Sequence, residues 1–336
     1  MNPLVSVITT FYNSAALGNF VHSAMESLLS QTFKNIEFIC VNDGSTDDTL
    51  EHLLSYSQKD ERIIIINKQN EGTAQYAKAA GQDAASGDYI MLFDHDDSMT
   101  TDAVEMAVAE FTKDPGLDMV GMIVKTVYSS GTVKNINNLD LLLHHIGDYS
   151  PHAMSGEEAL LKTVGRYDFH FRGLYKKQIF KLESFRFTEK LLNADEIVER
   201  LLLTHVKKIG SCSGIYTHVI FDNSSAKSFN IKKIDIVATD FYLREFAKKL
   251  NIYQPRKMVF ETTAYKNYIN AVKAYQHFRP GLASEEIQFL TNRLKTAYSA
   301  LDRKIIIETY KGVAKLYNGV LLSSFTLTNL FYRFKK

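Results

Sequence analysis

In the first hundred residues, apolar bursts alternate with amphipathic stretches, and this rhythm limits the fold more than any other feature of the chain. Leu4 to Thr10 reads as a buried strand, and residues 14–30 as a helix. Ile36 to Asn42 is a second strand, after which Thr46 to Gln58 carries Leu50, Leu53 and Leu54 at helical spacing. Arg62 to Asn67 holds four consecutive isoleucines, which predicts a strand covered on both faces. An Ala-rich helix over 71–86 stops at Gly87, and Tyr89 to Phe93 is a fourth strand. Repeated strand–helix units of this length predict an α/β fold, a mostly parallel sheet with helices on both faces. Such sheets bind ligands at the carboxyl ends of their strands.

The rhythm changes further along. Around Ser129-Ser130-Gly131 a turn signal separates two β-prone segments, which predicts a hairpin within 118–136. Beyond Asn223 the pattern is helical: 231–250, 257–278, 284–300 and 301–317 all place apolar residues three and four apart. A boundary near Asn223-Ser224-Ser225 therefore divides the chain into 1–223, an α/β domain, and 224–336, a helical C-terminal domain. The first of these has a half over 1–100 and a half over 101–223.

Three carboxylates crowd one turn in Tyr89-Ile90-Met91-Leu92-Phe93-Asp94-His95-Asp96-Asp97. Directly after a buried strand, like charges this close destabilise the fold unless a cation or strong donors face them. Hard oxygen ligands suit Mg²⁺ or Mn²⁺, which share carboxylates with substrate phosphates. A solvated acidic loop leading into a helix near Thr101 is the other reading. Two more strands also end in polar residues on the same edge, at Asn42-Asp43-Gly44-Ser45-Thr46-Asp47 and at Asn70-Glu71-Gly72. There, Asp47 or Thr46 is placed to cap the next helix. There is no Walker A motif and no GxGxxG, so a P-loop enzyme and a typical dinucleotide dehydrogenase are both excluded.

Composition narrows the partners. A formal net charge of +1 gives no surplus to attract nucleic acid. Cys40 and Cys212 stand without CxxC or CxxH spacing, which reads as reduced thiols in a cytoplasmic protein. The N-terminus enters a strand pattern at once, without the n- and h-regions of a secretion signal. No apolar run approaches the roughly 20 residues that span a bilayer.

Four blocks together carry a family resemblance. Val5-Ser6-Val7-Ile8-Thr9-Thr10-Phe11-Tyr12-Asn13 resembles VSVIIPTYN. Gln31-Thr32-Phe33 with Ile36-Glu37-Phe38-Ile39-Cys40-Val41-Asn42-Asp43-Gly44-Ser45-Thr46-Asp47 resembles QTFxNxEIIVVDDGSTD. Asn70-Glu71-Gly72, then Ala84-Ala85-Ser86-Gly87-Asp88-Tyr89-Ile90 and Phe93-Asp94-His95-Asp96-Asp97, resemble NxG…AxGxYIxFLDxDD. In order and spacing these blocks resemble a family-2 glycosyltransferase, inverting and nucleotide-sugar dependent, of the kind that builds bacterial surface glycans. The resemblance implies a GT-A fold, a Rossmann-like, mostly parallel sheet flanked by helices. The all-helical C-terminal region lies outside it.

Carried over to these positions, the resemblance implies that Thr10, Tyr12 and Asp43 hold the base of a nucleotide sugar, with UDP favoured. Asp94 and Asp96 match the DxD pair that contacts ribose and divalent metal, Mn²⁺ or Mg²⁺. Asp97 is a further metal ligand, and Lys78 stands near an arginine that follows the NxG turn in many members. His218 falls where some GT-A enzymes place a histidine toward metal or diphosphate. Asp195, eleven residues before Val206-Lys207-Lys208-Ile209, matches the catalytic base, with Ala194 in place of the usual Glu and Glu196 following. Thr10 replaces a proline, and Asn42 the first Asp of its block. The implied reaction is a single displacement in which Asp195 takes the proton of a glycan or lipid-linked hydroxyl. Unlike charges about 4 Å apart attract by roughly 4 kcal/mol at an effective dielectric near 20, so a cation at the leaving diphosphate matters greatly.

Other features have plainer readings. His95 is a spacer in the acidic turn, and His144, His145 and His152 read as loop residues rather than a metal site. Arg166, Arg172 and Lys176 are candidates for binding diphosphate or acceptor, with solvation at the surface as the default. Residues 313–336 are amphipathic and basic at the end. They either dock peripherally on an anionic membrane, at its inner face, or pack internally or in a homo-oligomer. A processive synthase with a Gln-x-x-Arg-Trp motif is excluded by the absence of tryptophan. A catalytically silent sugar-nucleotide-binding or scaffold protein is the alternative from another class.

Overall fold

The computed structural model describes residues 3–128, 133–136, 154–164, 171–180, 191, 194–220 and 231–334. The expected turn at Ser129-Ser130-Gly131, His144, His145, His152, Arg166 and the boundary at Asn223 lie outside the described residues. Contacts divide the chain into two units. The first comprises Met1–Lys162, Phe169–Thr188 and Val198–Lys227, and the second Thr163–Asp168, Glu189–Ile197 and Ser228–Lys336.

The first unit opens with β1 (Val5–Phe11), α1 (Phe20–Leu29), β2 (Ile36–Asp43), α2 (Thr49–Ser57), β3 (Ile63–Lys68), α3 (Ala74–Ala84) and β4 (Tyr89–Asp94). Next come a short β5 (Ser98–Met99), α4 (Ala103–Lys113), β6 (Met119–Tyr128), β7 (Val133–Ile136), α5 (Gly156–Thr163) and β8 (Gly173–Lys176). The helix α6 (Ala194–Leu203) leads to β9 (Ile209–Ile220). Among the described residues, nine strands form one sheet in the order β3-β2-β1-β4-β8-β6-β9-β5, with β7 paired to β6. Strands β1 to β4 are mutually parallel, whereas β8 runs antiparallel to both β4 and β6. The expected hairpin is present as the antiparallel β6–β7 pair.

Buried apolar faces hold this sheet. On β1, Val5, Val7 and Phe11 alternate into a core shared with Met25 and Leu28 of α1, while Ile8 faces the other way. There α3 comes so close that a Cβ on Gly81 would meet the Ile8 methyl at 2.3 Å. Ser6, fully buried, gives its hydroxyl to Glu37 Oε1 at 2.5 Å, and Ser86 donates to the same carboxylate through N–H and hydroxyl, both at 2.7 Å. Burial pushes the Glu37 carboxyl up, but these hydrogen bonds outweigh it and the net shift is downward. Its stabilisation is therefore complete above the ordinary value of 4.5 and fades as pH falls through the lower folded value. Glu37→Ala orphans these donors and is expected to cost about 1–3 kcal/mol at neutral pH, with the deficit shrinking in acid. Urea melts at pH 7 and pH 3 check this, and an equal deficit at both would contradict it.

The isoleucine run departs from expectation. β3 is the edge strand, and only Ile63 is buried while Ile64 is 38% exposed, so a continuous apolar stretch here serves one face. The first helix also starts later than residue 14. Asn13 at φ 48° and Gly18 at φ 110° keep the chain out of helix, and side chains from the next loop take its donors. Asn13 N–H donates to Ser45 Oγ, Ala15 N–H to Thr49 Oγ1 and Ala16 N–H to Asp47 Oδ2, at 2.8–3.0 Å. Asn13 Oδ1 in turn accepts from Thr46 N–H at 2.8 Å.

The second unit is helical, with α7 (Ile236–Lys249), α8 (Tyr253–Phe278), α9 (Ser284–Ala300), α10 (Arg303–Glu308), α11 (Gly312–Ser323) and α12 (Phe325–Phe334). The single helix expected over 301–317 is two, since Asp302 caps α10 and Gly312 adopts φ +52° before α11. Tyr268, Val272, Leu294 and Ile306 form its core. A buried carboxylate, Glu261, joins α7, α8 and the α9–α10 corner. It accepts from Arg244 at 3.2 Å, Tyr253 OH at 2.7 Å and Asp302 N–H at 2.6 Å.

Candidate active site

The strand order places a topological switch between β1 and β4. From β1 the chain proceeds outward to β2 and β3, then returns to the other flank, and Thr10 and Asp94 end up as register partners at the carboxyl ends. Open α/β sheets bind ligands at such a crevice. Tyr12, just beyond β1, is 50% exposed. Asp43 ends β2 and is 4% exposed. Lys68 Nζ reaches its Oδ1 at 2.9 Å and Asn70 Nδ2 its Oδ2 at 3.1 Å. A carboxylate has about four lone-pair sites, so Asp43 keeps capacity for a further donor. The adjacent Gly44 is required by its φ of +70° and by space, since a Cβ there would lie 2.6 Å from Asn70 N.

The three carboxylates of the acidic turn have three different fates. Asp94 is neutralised from both sides, by Lys78 Nζ on Oδ1 at 3.0 Å and by Arg172 Nη2 on Oδ2 at 2.7 Å. Burial alone raises its pKa, but the two cations overcome this and hold the carboxyl well below the usual carboxylate range. Asp97 is 2% exposed and turned into β9. Tyr216 OH donates to it at 2.7 Å, Val219 N–H at 2.9 Å, and His218 Nδ1 lies at 3.1 Å. The carboxylate expected to be a further metal ligand is thus also engaged by three residues of β9. Burial lowers the His218 pKa, yet the hydrogen bond and charge of Asp97 reverse this and the net shift is upward.

Asp96 is the remaining carboxylate. It makes no ion pair among the described residues. Burial first, then the charges of Asp97 and Asp94, push its pKa up, with His95 opposing. A half-buried carboxylate that faces two like charges and makes no ion pair among the described residues is suited to a cation. No three His, Cys, Asp or Glu side chains among the described residues form a ready cage. A cation held here would complete its shell with water and phosphate oxygens, which is the habit of Mg²⁺ and, similarly, Mn²⁺. The donor set therefore fits the expected metal. His95 packs its ring on Phe11 and Phe20 at 5.8 and 6.0 Å, in keeping with a spacer.

Arg172, read as a surface residue, is 8% exposed and central to the site. Besides Asp94 it reaches Glu199 of α6 at 3.6 Å and lies over the Tyr216 ring at 5.4 Å. Tyr216, fully buried on β9, accepts from Asp94 N–H at 3.2 Å while donating to Asp97, so one phenol ties both ends of the acidic turn. Sequence reasoning puts Arg172 at the surface by default, with diphosphate or acceptor binding as its other role, and does not mark Tyr216. The available signal was charge inside an apolar strand context, Phe171-Arg172-Gly173-Leu174-Tyr175, which demands a buried partner without saying which. Asp195 and Glu196 occupy the first turn of α6, in the part of that helix that belongs to the second unit.

A parallel sheet with an acidic turn at its switch edge, extended by antiparallel strands, is the GT-A architecture. Solved structures agree. S. aureus TarS 1–349 in complex with UDP-GlcNAc superposes with a TM-score of 0.64 at 15% identity, covering 98% of this chain and 89% of that one. Mannosyltransferase PcManGT from Pyrobaculum calidifontis, in complex with GDP-Man and Mn²⁺, gives 0.52 at 15% identity, covering 98% and 88%. The family model described as Glycosyl transferase family 2 matches residues 6–181, and the chain belongs to that family. Among its relatives are the chondroitin synthase of Pasteurella multocida (strain Pm70), 31% identical over 323 residues, and the hyaluronan synthase of Pasteurella multocida, 32% identical over 282. These alignments take in 93% and 81% of this chain but only 31% and 27% of the relatives, so the chain spans about a third of their length.

Proposed function

We propose that this chain transfers one sugar from a nucleoside-diphosphate donor, a UDP-sugar, to a hydroxyl of a glycan or lipid-linked acceptor, with inversion at the anomeric carbon. The observation that carries this is Asp96, a carboxylate at the switch edge of a family 2 sheet that stands against the charges of Asp97 and Asp94 and makes no ion pair among the described residues. Support for the donor class comes from the neighbour bound to UDP-GlcNAc, and for a glycan product from relatives named as polysaccharide synthases. Tyr12 stacks on the base, while Thr10 and Asp43 meet its edge, Asp43 accepting a uracil-type N–H. Lys78 and Asp94 serve the ribose and diphosphate side.

Asp96 would hold Mn²⁺ or Mg²⁺, flanked by Asp94, Asp97 and His218. When bound, such an ion stabilises negative charge on a departing diphosphate. The anomeric carbon–oxygen bond to phosphate breaks with its electron pair going to the diphosphate. The acceptor oxygen forms the new bond on the opposite face and yields its proton to Asp195. One displacement suffices, and no covalent enzyme intermediate arises.

The test is a panel of UDP-, GDP- and dTDP-sugars, read as binding and as slow hydrolysis or transfer, on wild type and Asp195→Asn. One UDP-sugar is expected to bind. Asp195→Asn should keep that affinity within about threefold while turnover falls by roughly 10²–10⁴. Normal turnover in Asp195→Asn removes this residue as the base. A folded protein that binds no donor removes the transferase reading and leaves the silent scaffold.

A further inference from the structure

The last two helices of the second unit carry apolar side chains on the wrong side for a core. The inner side of α11 is accounted for, since Leu321 and Leu322 are buried and Asn318 Oδ1 accepts from Tyr265 OH at 2.7 Å. In α12, Thr328 is buried and Asn329 Oδ1 accepts from Gln276 at 3.1 Å. On α11, Val313, Leu316, Tyr317 and Val320 nevertheless stand exposed at 82, 73, 40 and 62%, with the i, i+3, i+4, i+7 spacing of one helical face. On α12, Leu327, Leu330 and Phe334 are exposed at spacings of three and four. The Tyr317 and Phe331 rings meet at 5.6 Å and join the two helices. Scattered exposed hydrophobics are ordinary, but a register-matched set on adjacent helices marks a contact surface.

Charge selects the occupant. From Thr309 to Lys336 the charged residues are Lys311, Lys315, Arg333, Lys335 and Lys336, with no acid, in a chain whose net charge is only +1. Lys311, Lys315 and Arg333 are exposed. In a two-fold dimer this patch would face itself, setting cation against cation. An anionic lipid surface satisfies both halves of the pattern, taking the apolar side chains at the acyl boundary and the ammonium groups among phosphates. No helix among the described residues is long and apolar enough to cross a membrane, so the contact is one of lying upon it. We infer that the α11–α12 surface is a docking face for anionic membranes, a property separate from sugar transfer.

Vesicle co-sedimentation of the full chain tests this, with phosphatidylcholine alone and with phosphatidylcholine mixed with phosphatidylglycerol. Wild type is expected to sediment with the mixed vesicles, less so at high salt. Lys311→Gln and Lys315→Gln should each weaken binding about fivefold. Leu316→Ser with Val320→Ser should weaken it more than tenfold, with an unchanged thermal melt because both side chains are exposed. Absence of sedimentation, or equal sedimentation with neutral vesicles, overturns the inference. So does a wild-type dimer, seen by sedimentation equilibrium, that the apolar double substitution converts to monomer while vesicle binding is unaffected.

Discussion

Replacing Asp96 by alanine is expected to lower transfer or donor hydrolysis on the order of 10³-fold, the equivalent of about 4 kcal/mol. The fold should not suffer. Asp96 makes no ion pair among the described residues, and burial and the charges of Asp97 and Asp94 already work against its ionised form. Removing it relieves repulsion, so the melting temperature should stay level or rise by a few degrees, as when a functional site has been kept at the expense of stability. Manganese supplies the second readout. A ligand that binds only the folded state raises its melting temperature. Wild type should show that rise with Mn²⁺ and Asp96→Ala should lose it. An Asp96→Ala protein that melts earlier and still responds to Mn²⁺ would place the cation elsewhere.

Arg172 predicts the opposite profile. It is a buried guanidinium between Asp94 and Glu199, with Arg200 on the far side of Glu199 at 3.1 Å. Breaking a buried ion pair by deleting one partner costs about 3–5 kcal/mol, because the other charges stay behind without compensation. Arg172→Met should therefore lower the melting temperature by roughly 10 °C. Arg172→Lys should recover only part of this. One ammonium can replace the bond to Asp94, but it lacks the planar fork that reaches Asp94 and Glu199 together. A Met variant that melts within a degree or two of wild type would show that the network adds little to stability.

The parts of this molecule legible in the sequence were the local ones. Burst and amphipathic spacing located β1, β2, β4 and α9, because each element's burial repeats at its own period. The acidic turn announced itself through charge density. What sequence could not supply was partnership across distance. Arg172 and Asp94 are 78 positions apart, and Tyr216 reaches Asp97 across 119. Edge position was equally hidden. Four isoleucines read alike whether a strand is central or, like β3, has one open flank. The delayed start of α1 arose from side chains of another loop claiming Asn13, Ala15 and Ala16, a competition no window of neighbouring residues reveals.

That competition has a consequence for ligand recognition. The segment after β1 and the segment after β2 are stitched by five hydrogen bonds, three running one way and two the other. Tyr12 borders the first segment and Asp43 the second, so two groups proposed to grip one base ride on a single laced frame. Ordering two independent loops would add to the cost of association, and here the lacing has already met that cost before a ligand arrives. A change in Ser45 or Thr49, neither of which is proposed to touch the nucleotide, would thus be felt as slack in Tyr12.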